Sequence, residues 1–440
     1  MSNYRYKIEQ YHSIGKADIA INGITVLAGV NGAGKSTLAR WLYYIVNIAE
    51  VYETNLFEKY QQNLAEQIRK FEKVRKDVAD VAGDSDDALG KTSRSILDFK
   101  YNGNAIESAD SLLEIFSIAI KQFVQDFGNV FPVMEKNRET RILNYLQIEK
   151  KDGEAAKFFL DRILNEQLSK GISEKEQFLK LQKERPVERF FGTTSRTYNE
   201  KDHPTNFSFQ EDGVDIISKE RIGTLYGLDD AVYIDTPLAI SVTHSSNIFW
   251  DELHFRIMNQ YEVEDERKVR KLLAYIKRIT GGEVLEKKDI FGQEELLYTR
   301  ESDHLTIQLK DTATGIKAFA YIEQLLKKGH LTNHTLLIID EPEAHLHPQW
   351  IVEFARLLVM LNKEIGLKIM IASHDPDMVS AIRYVGDAEG VIGNTNFYLA
   401  EKDSDAETFT YKQLGKDIDP IFESFNNSFD LIEKYGVDNG

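Results

Sequence analysis

The 440-residue chain contains no cysteine, which excludes a disulfide framework, a thiolate metal site and a cysteine nucleophile. Long hydrophobic runs are also missing. Leu336–Ile339 is typical of the longest, far below the ~18 apolar residues that a membrane span needs, so no membrane partner is expected. The opening Met1-Ser2-Asn3-Tyr4-Arg5-Tyr6-Lys7 lacks the apolar segment of a secretory signal, and a cytoplasmic location is the expectation. Basic residues are in deficit, 54 against 71 acidic, for a formal charge of −17. That balance argues against a uniformly basic nucleic-acid coat, though not against a local patch. At roughly 150 residues per domain, the length allows about three units, or one large α/β unit carrying an insertion.

Short strands come first. Ser2 to Glu9 and Ala17 to Ile21 alternate polar with apolar residues and predict two edge-type strands. Ile24 to Ala28 is a continuous apolar strand that leads into Gly29, Gly32 and Gly34, and a helical pattern starts at Lys35. From Glu50 to about Lys183 the composition favours helices, with only Pro132 inside and a glycine and serine break near Gly83 to Ser93. There Phe57, Tyr60, Leu64, Ile68, Phe71 and Val78 form a narrow stripe, read as an amphipathic helix packed on its neighbours, with a short coiled coil as the alternative. Gly192 to Pro204 reads as a loop. Strands are expected at Asn206 to Phe209, Val214 to Ile217 and Ala231 to Ile234, then near Val284, Glu295 to Tyr298 and Leu305 to Leu309. Helices are expected at Glu266 to Ile279 and Gly315 to Lys328. The first of these is rich in Lys and Arg, which is read as a solvated face ahead of a nucleic-acid contact.

Thr335 to Ile339 is a buried strand ending in Asp340, followed by a helix from Leu346 to Asn362 and a second buried strand, Lys368 to Ala372, ending in Ser373-His374. Two further strands near Asn396 to Leu399 and Thr408 to Tyr411, and a helix from Asp419 to Tyr435, complete the chain. Buried runs that alternate with helices imply an α/β fold, a mixed sheet with parallel central strands.

Three motifs carry chemistry. Gly29 to Ser36 matches G-x-x-x-x-G-K-S between a predicted strand and a predicted helix, the context a phosphate loop requires. Its glycines let backbone N–H groups of Asn31, Gly32, Ala33, Gly34, Lys35, Ser36 and Thr37 surround an anion, Lys35 reaches the β/γ oxygens, and the Ser36 hydroxyl ligates Mg²⁺. ATP and Mg²⁺ are therefore the expected cofactors. The strand ending in Asp340-Glu341 places one carboxylate for the metal, Asp340, and one for the attacking water, Glu341. His374, at the end of the next buried strand, is assigned to sense the γ-phosphate.

Asn31 to Thr37, Asp340 to Pro348 and Ser373-His374-Asp375-Pro376 together resemble the ABC-type ATPases of the SMC/Rad50/RecF and OLD group. They resemble more closely the bacterial AAA-family ATPases of the AAA_15/AAA_21 type found in antiphage defence, such as the ATPase subunits of Septu, retron-associated and PARIS systems. The resemblance covers Met1 to about Arg40 and Gly282 onward, and is weak across the helical middle. It implies an ABC-type P-loop NTPase head split by a helical insertion: 1–49 and 206–440 form the head, and 50–205 the insertion. It also implies that two heads sandwich ATP, with the signature loop of one head capping the nucleotide of the other. Here that loop is Lys310 to Lys317, in which Thr312 or Thr314 supplies the hydroxyl and Gly315 the close backbone approach. Glu343, His345 and His347 look like a metal cluster, but the resemblance puts Ala344 to Pro348 at the dimer interface and makes metal ligation the lesser reading. Asp375 departs from the serine common at that position, and Gln210 is left unassigned as a Q-loop glutamine.

The expected function is an ATP-hydrolysing switch in antiphage defence, a homodimer or larger homo-oligomer that controls a separately encoded effector such as a nuclease or toxin. Two alternatives are kept: a RecF/Rad50-like DNA-repair ATPase, for which nucleic acid is a partner, and an ATP-gated assembly scaffold with little turnover. The stretch after His374 is too short for the Toprim nuclease of OLD proteins, which is why the effector is expected on another polypeptide.

Overall fold

The computed structural model describes residues 2–82, 88–151, 153–235, 247–288, 294–344, 346–404 and 406–423. Two compact units emerge, one of Met1–Glu50 with Val187–Gly440, the other of Val51–Pro186.

The first unit opens with strands β1 (Tyr4–Tyr11), β2 (Ile14–Ile21) and β3 (Ile24–Ala28) and the start of helix α1 (Lys35–Ala82). The second unit holds the rest of α1 with α2 (Ala88–Leu97), α3 (Ala105–Val130), α4 (Lys136–Leu146) and α5 (Ala156–Glu184). Its apolar stripe is covered by neighbouring helices. Tyr60 stacks on Phe178 of α5 with centroids 5.5 Å apart, and Phe71 meets Phe123 of α3 at 4.6 Å. Gly171 lets α5 approach α3, since a Cβ there would lie 2.6 Å from the Phe116 ring. The side chain of Val78 lies outside the described residues, as do residues 83–87 of the expected break, while Ala88 to Ser93 are already helical in α2.

The first unit resumes with α6 (Val187–Tyr198), β4 (Asn206–Glu211), β5 (Val214–Ile217), β6 (Asp230–Ile234), α7 (Ile248–Met258) and α8 (Glu266–Thr280). A small sheet of β7 (Glu283–Lys288), β8 (Glu294–Arg300) and β9 (Leu305–Gln308) precedes α9 (Thr314–Lys327). Then follow β10 (Thr335–Asp340), α10 (Pro348–Ile365), β11 (Lys368–Ser373), α11 (Pro376–Ala388), β12 (Thr395–Lys402) and β13 (Phe409–Leu414).

Ten strands form one mixed sheet in the order β5-β4-β1-β2-β13-β12-β3-β11-β10-β6. The run β12-β3-β11-β10-β6 is parallel throughout, and every residue of β3, β10 and β11 is buried. Continuous apolar strands suit a sheet covered on both faces. The core beneath them takes Phe319, Ile322 and Leu325 from α9, Leu357, Leu358 and Leu361 from α10, and Met378, Val379 and Ile382 from α11.

Several expectations change. β1 and β2 are interior strands, because alternation reports that one face is wet and says nothing about lateral neighbours; among the described residues β5 and β6 are the edges. The loop expected from Gly192 is helical as far as Tyr198. Phe190 and Phe191 of α6 pack on Trp41 and Phe207, and this aromatic burial outweighs the polar composition. The insertion's compact unit accordingly ends at Pro186 and not at 205. α7 and α11 had no counterpart in the sequence reading, and of the helix expected at Asp419 to Tyr435 only 419–423 lie among the described residues, as helix. On α8 the basic residues are largely engaged: Lys268 with Asp265, Lys271 with Glu364, Lys277 with Glu283 and Glu301, and Arg278 over the Tyr275 ring.

Candidate active site

β3, β11 and β10 are parallel neighbours, with Ala28 opposite Ser373 and Ala372 opposite Asp340, so all three chains leave the sheet at one edge. The residues that follow are Gly29, His374 and Glu341. Three motifs far apart in sequence thus meet at the carboxyl ends of adjacent strands, where open α/β sheets bind ligands.

In the phosphate loop Gly32 and Gly34 have φ of 81° and 90°, and a Cβ on Gly34 would lie 2.7 Å from Ile14 Cγ1. Only glycine meets both demands at position 34. Lys35, Ser36 and Thr37 open α1, whose first N–H groups have no partner within the helix and suit phosphate oxygens. Asn31 is exposed beside them, and Ala33 is buried with its carbonyl accepting from the Tyr411 hydroxyl at 3.0 Å. The Lys35 ammonium donates to Gly29 O at 2.8 Å and Val30 O at 3.0 Å. Burial lowers its pKa, while Asp340, Glu341 and Glu343 pull it back up.

Asp340 is buried and accepts from the Tyr233 hydroxyl at 3.1 Å through Oδ2. Burial raises its pKa, against the pull of Ser36 and Tyr233, and Oδ1 has no well-aligned hydrogen-bond partner among the described residues. A desolvated carboxylate oxygen short of a donor, with a serine hydroxyl beside it, has the oxygen chemistry that a hard divalent cation takes. The residues present fit Mg²⁺ on that ground, and the glycine cradle fits a phosphate.

Glu341 adopts a left-handed backbone, φ 49°, that costs a side-chain-bearing residue roughly 1–2 kcal/mol. Its N–H is tied to Ala372 O at 2.8 Å, and its half-exposed carboxylate places Oε1 3.4 Å from His374 Nδ1. Glu343 is buried. Its Oε1 accepts from Ser373 Oγ at 2.8 Å and His374 N at 3.0 Å, and lies 3.3 Å from His374 Nδ1.

Asp375 is the residue that opens α11. Its carboxylate caps α11, accepting from Asp377 N at 2.7 Å and Met378 N at 3.1 Å. His347 similarly caps α10 by accepting from Gln349 N, and His345 lies outside the described residues. Two members of the suspected metal trio are therefore engaged elsewhere, and among the described residues no group of three or more His, Asp or Glu could hold a metal.

In the stretch 310–317, Thr312 is buried and donates its hydroxyl to Leu309 O at 2.8 Å. Thr314 is half-buried at the first residue of α9. Gly315 is needed for packing, because a Cβ would lie 2.8 Å from the Trp350 ring. Gln210 lies on β4, away from the motif edge in the strand order, and donates to Asp215 at 2.7 Å.

Tyr233, Asp235, Arg40 and Tyr411 join the site without having been singled out from the sequence. β6 runs parallel to β10 with Ile234 opposite Ile339, so Asp235 follows its strand as Asp340 ends its own. Arg40 interacts with Tyr233 and Asp235 and lies 5.5 Å from the Phe249 ring centroid. A strand ending in Asp was the available signal for Asp235; the tyrosines gave none.

The family model AAA_15, the AAA ATPase domain, matches residues 5–379. The energy-coupling factor transporter ATP-binding protein EcfA3 of Clostridium perfringens is 40% identical over 72 residues, 16% of this chain and 25% of that protein. The Old nuclease of Escherichia phage P2 is 32% identical over 117 residues, 26% of this chain and 20% of that protein. The chain thus spans about a quarter of the length of the transporter protein and a fifth of the nuclease. Among solved structures, the Smc head domain with an extended coiled coil, bound to the C-terminal domain of ScpA and derived from Pyrococcus furiosus, aligns over 99% of this chain and 100% of that one. It does so at 10% identity and a TM-score of 0.35.

Proposed function

Because the chain belongs to the AAA ATPase domain family AAA_15, we propose that it works as a Mg-ATP-driven switch. In this reading two heads close on ATP and control a separately encoded effector in antiphage defence. The observation that carries the catalytic part is the single sheet edge shared by Lys35, Asp340, Glu341 and His374. The defence role rests on the sequence resemblance alone.

The residues divide the work as follows. Loop amides from Asn31 to Thr37 bind the phosphates, and Lys35 exchanges its bonds to Gly29 O and Val30 O for the β/γ oxygens. Ser36 and Asp340 would hold Mg²⁺, which when bound offsets charge on the phosphate oxygens. Glu341, half-exposed at this edge, orients the attacking water and takes its proton. His374 contacts the γ-phosphate, and Thr314 with Gly315 caps the nucleotide of the second head, since Thr312 already spends its hydroxyl on Leu309.

The test combines light scattering after size exclusion with phosphate release, for wild type, Lys35→Ala and Glu341→Gln, with and without Mg-ATP. Lys35→Ala should lose nucleotide binding. Glu341→Gln should keep ATP and accumulate as dimer or larger assembly, with hydrolysis reduced about a hundredfold or more. Unimpaired turnover in Glu341→Gln overturns its role. ATP-independent assembly without phosphate release replaces the switch with the scaffold, and ATP-dependent duplex binding that weakens with salt replaces it with the DNA-maintenance ATPase. Products of neighbouring genes are the first effectors to test for binding.

A further inference from the structure

Glu343 is a carboxylate at the motif edge that the hydrolytic scheme leaves unused. Its side chain is 4% exposed, and its Oε2 is buried with no hydrogen-bond partner among the described residues. A carboxylate so placed carries a desolvation cost that a neutral side chain would avoid. What it touches is a single junction. Oε1 takes the Ser373 hydroxyl and the His374 N–H, and the same oxygen stands 3.3 Å from His374 Nδ1. That last approach is close enough for an ion pair but is not aligned as a hydrogen bond, and Glu341 Oε1 stands 3.4 Å from the same nitrogen. Glu341 has a left-handed backbone, and its N–H donates to Ala372 O. The two carboxylates therefore reach one imidazole nitrogen from two places on the loop.

We propose that Glu343 is the positioning residue of this site: it clamps the Ser373-His374 junction and keeps the proton of His374 on Nδ1, so that Nε2 is the nitrogen offered to the γ-phosphate. The partner of one imidazole nitrogen decides the tautomer and the ring orientation. Glu343 acts on the reaction through His374 and the end of β11, beside its longer-range pull on Lys35. The first Asp-Glu pair of the loop and the following Glu thus have separate duties, metal and water for the former, histidine alignment for the latter. This rests on the hydrolytic reading above, and its test is built to fail separately.

The experiment is a double-substitution cycle in phosphate release with Glu343→Gln, His374→Ala and the pair, together with long-range ¹⁵N spectra of histidine-labelled protein, in which His374→Ala identifies the signal. Glu343→Gln keeps an acceptor for Ser373 Oγ and His374 N through its amide oxygen, so the fold should stand, and thermal melting checks that it does. Expected is a kcat reduced about tenfold to a hundredfold with KM little changed, the scale on which loss of a ring-orienting partner acts. In the His374→Ala background the same substitution should add almost nothing. A loss that adds fully to that of His374→Ala, or one confined to KM, overturns the proposal. The spectra decide it even if the wild type proves inactive: His374 should be the Nδ1–H form in wild type, shift toward the Nε2–H form in Glu343→Gln, whose neutral amide oxygen is a weaker acceptor than the carboxylate, and lose the preference in Glu343→Ala; a tautomer unchanged in both variants overturns it.

Discussion

Glu252, on α7, shows what a carboxylate costs when burial is not matched by donors. Its Oε2 has no partner among the described residues, and burial pushes its pKa up to about 7. Arg256, four residues on, attracts it, yet that guanidinium is spent on Asp230, with Nη2 2.7 Å from Oδ1. The folded chain therefore holds this proton more tightly than the unfolded chain, whose glutamate titrates near 4.5. Between pH 4.5 and 7 the native state binds more protons, so its stability falls as pH rises, and the penalty is complete above 7. Glu252→Gln should accordingly raise stability by about 1–3 kcal/mol at pH 8 and by little at pH 4.5. Denaturant melts of both proteins across that range check the sign; a gain that grew toward acid would contradict it. The same physics acts at Asp340, where burial raises the pKa and Oδ1 has no partner among the described residues, and under the proposed function a cation would relieve it.

At the scale of elements, caps and packing contacts place the motifs. Asp375 ends the turn after β11 and starts α11 in one residue, which fixes where His374 leaves the sheet. Asp375→Ala should cost about 1 kcal/mol in urea unfolding, and Asp375→Ser should recover most of it, because either oxygen can accept the helix N–H groups. Gly315 does a packing job at the start of α9. Gly315→Ala would press a methyl into the Trp350 ring and should destabilise the chain by about 1–3 kcal/mol, as overpacking does; a neutral result would show that Trp350 yields freely. Element types were readable where one local force dominated, as in the β-branched run Ile24–Ala28 or the Gly-rich loop before Lys35. α6 was not readable, because its polar residues signal a loop while Phe190 and Phe191 take their partners, Trp41 and Phe207, from distant positions.

For the whole molecule, net charge sets an opposition that separates the candidate functions. Each chain carries a formal −17, and bound ATP makes it more negative, so closing two heads brings like charges together. Screening relieves that repulsion over a Debye length of about 10 Å at 0.1 M salt. The ATP-bound dimer of Glu341→Gln should therefore strengthen as NaCl rises from low ionic strength to about 0.15 M. Sedimentation velocity at several salt concentrations reads this directly. Weakening over the same range would instead point to an interface dominated by attractive charge pairs. DNA binding runs the other way, losing affinity steeply with salt as counterions are no longer released to advantage. Among the described residues no helix is long and apolar enough to cross a membrane.

The sequence by itself determined the motifs and the local geometry. Gly32, Gly34, Lys35 and Ser36 lie within a few residues, and the buried runs before Asp340 and His374 are set by their own side chains, so backbone sterics and short-range burial suffice to read them. Only the tertiary structure decided the lateral order of the strands. That order puts β11 between β3 and β10, and with it the pairing of Glu343 with His374 and of Tyr233 with Asp340 across 31 and 107 residues of chain. It also made Asp375 and His347 helix caps. The reason is physical: periodicity records whether a face is buried, while a strand's neighbour depends on which whole arrangement buries the most surface with its polar groups satisfied.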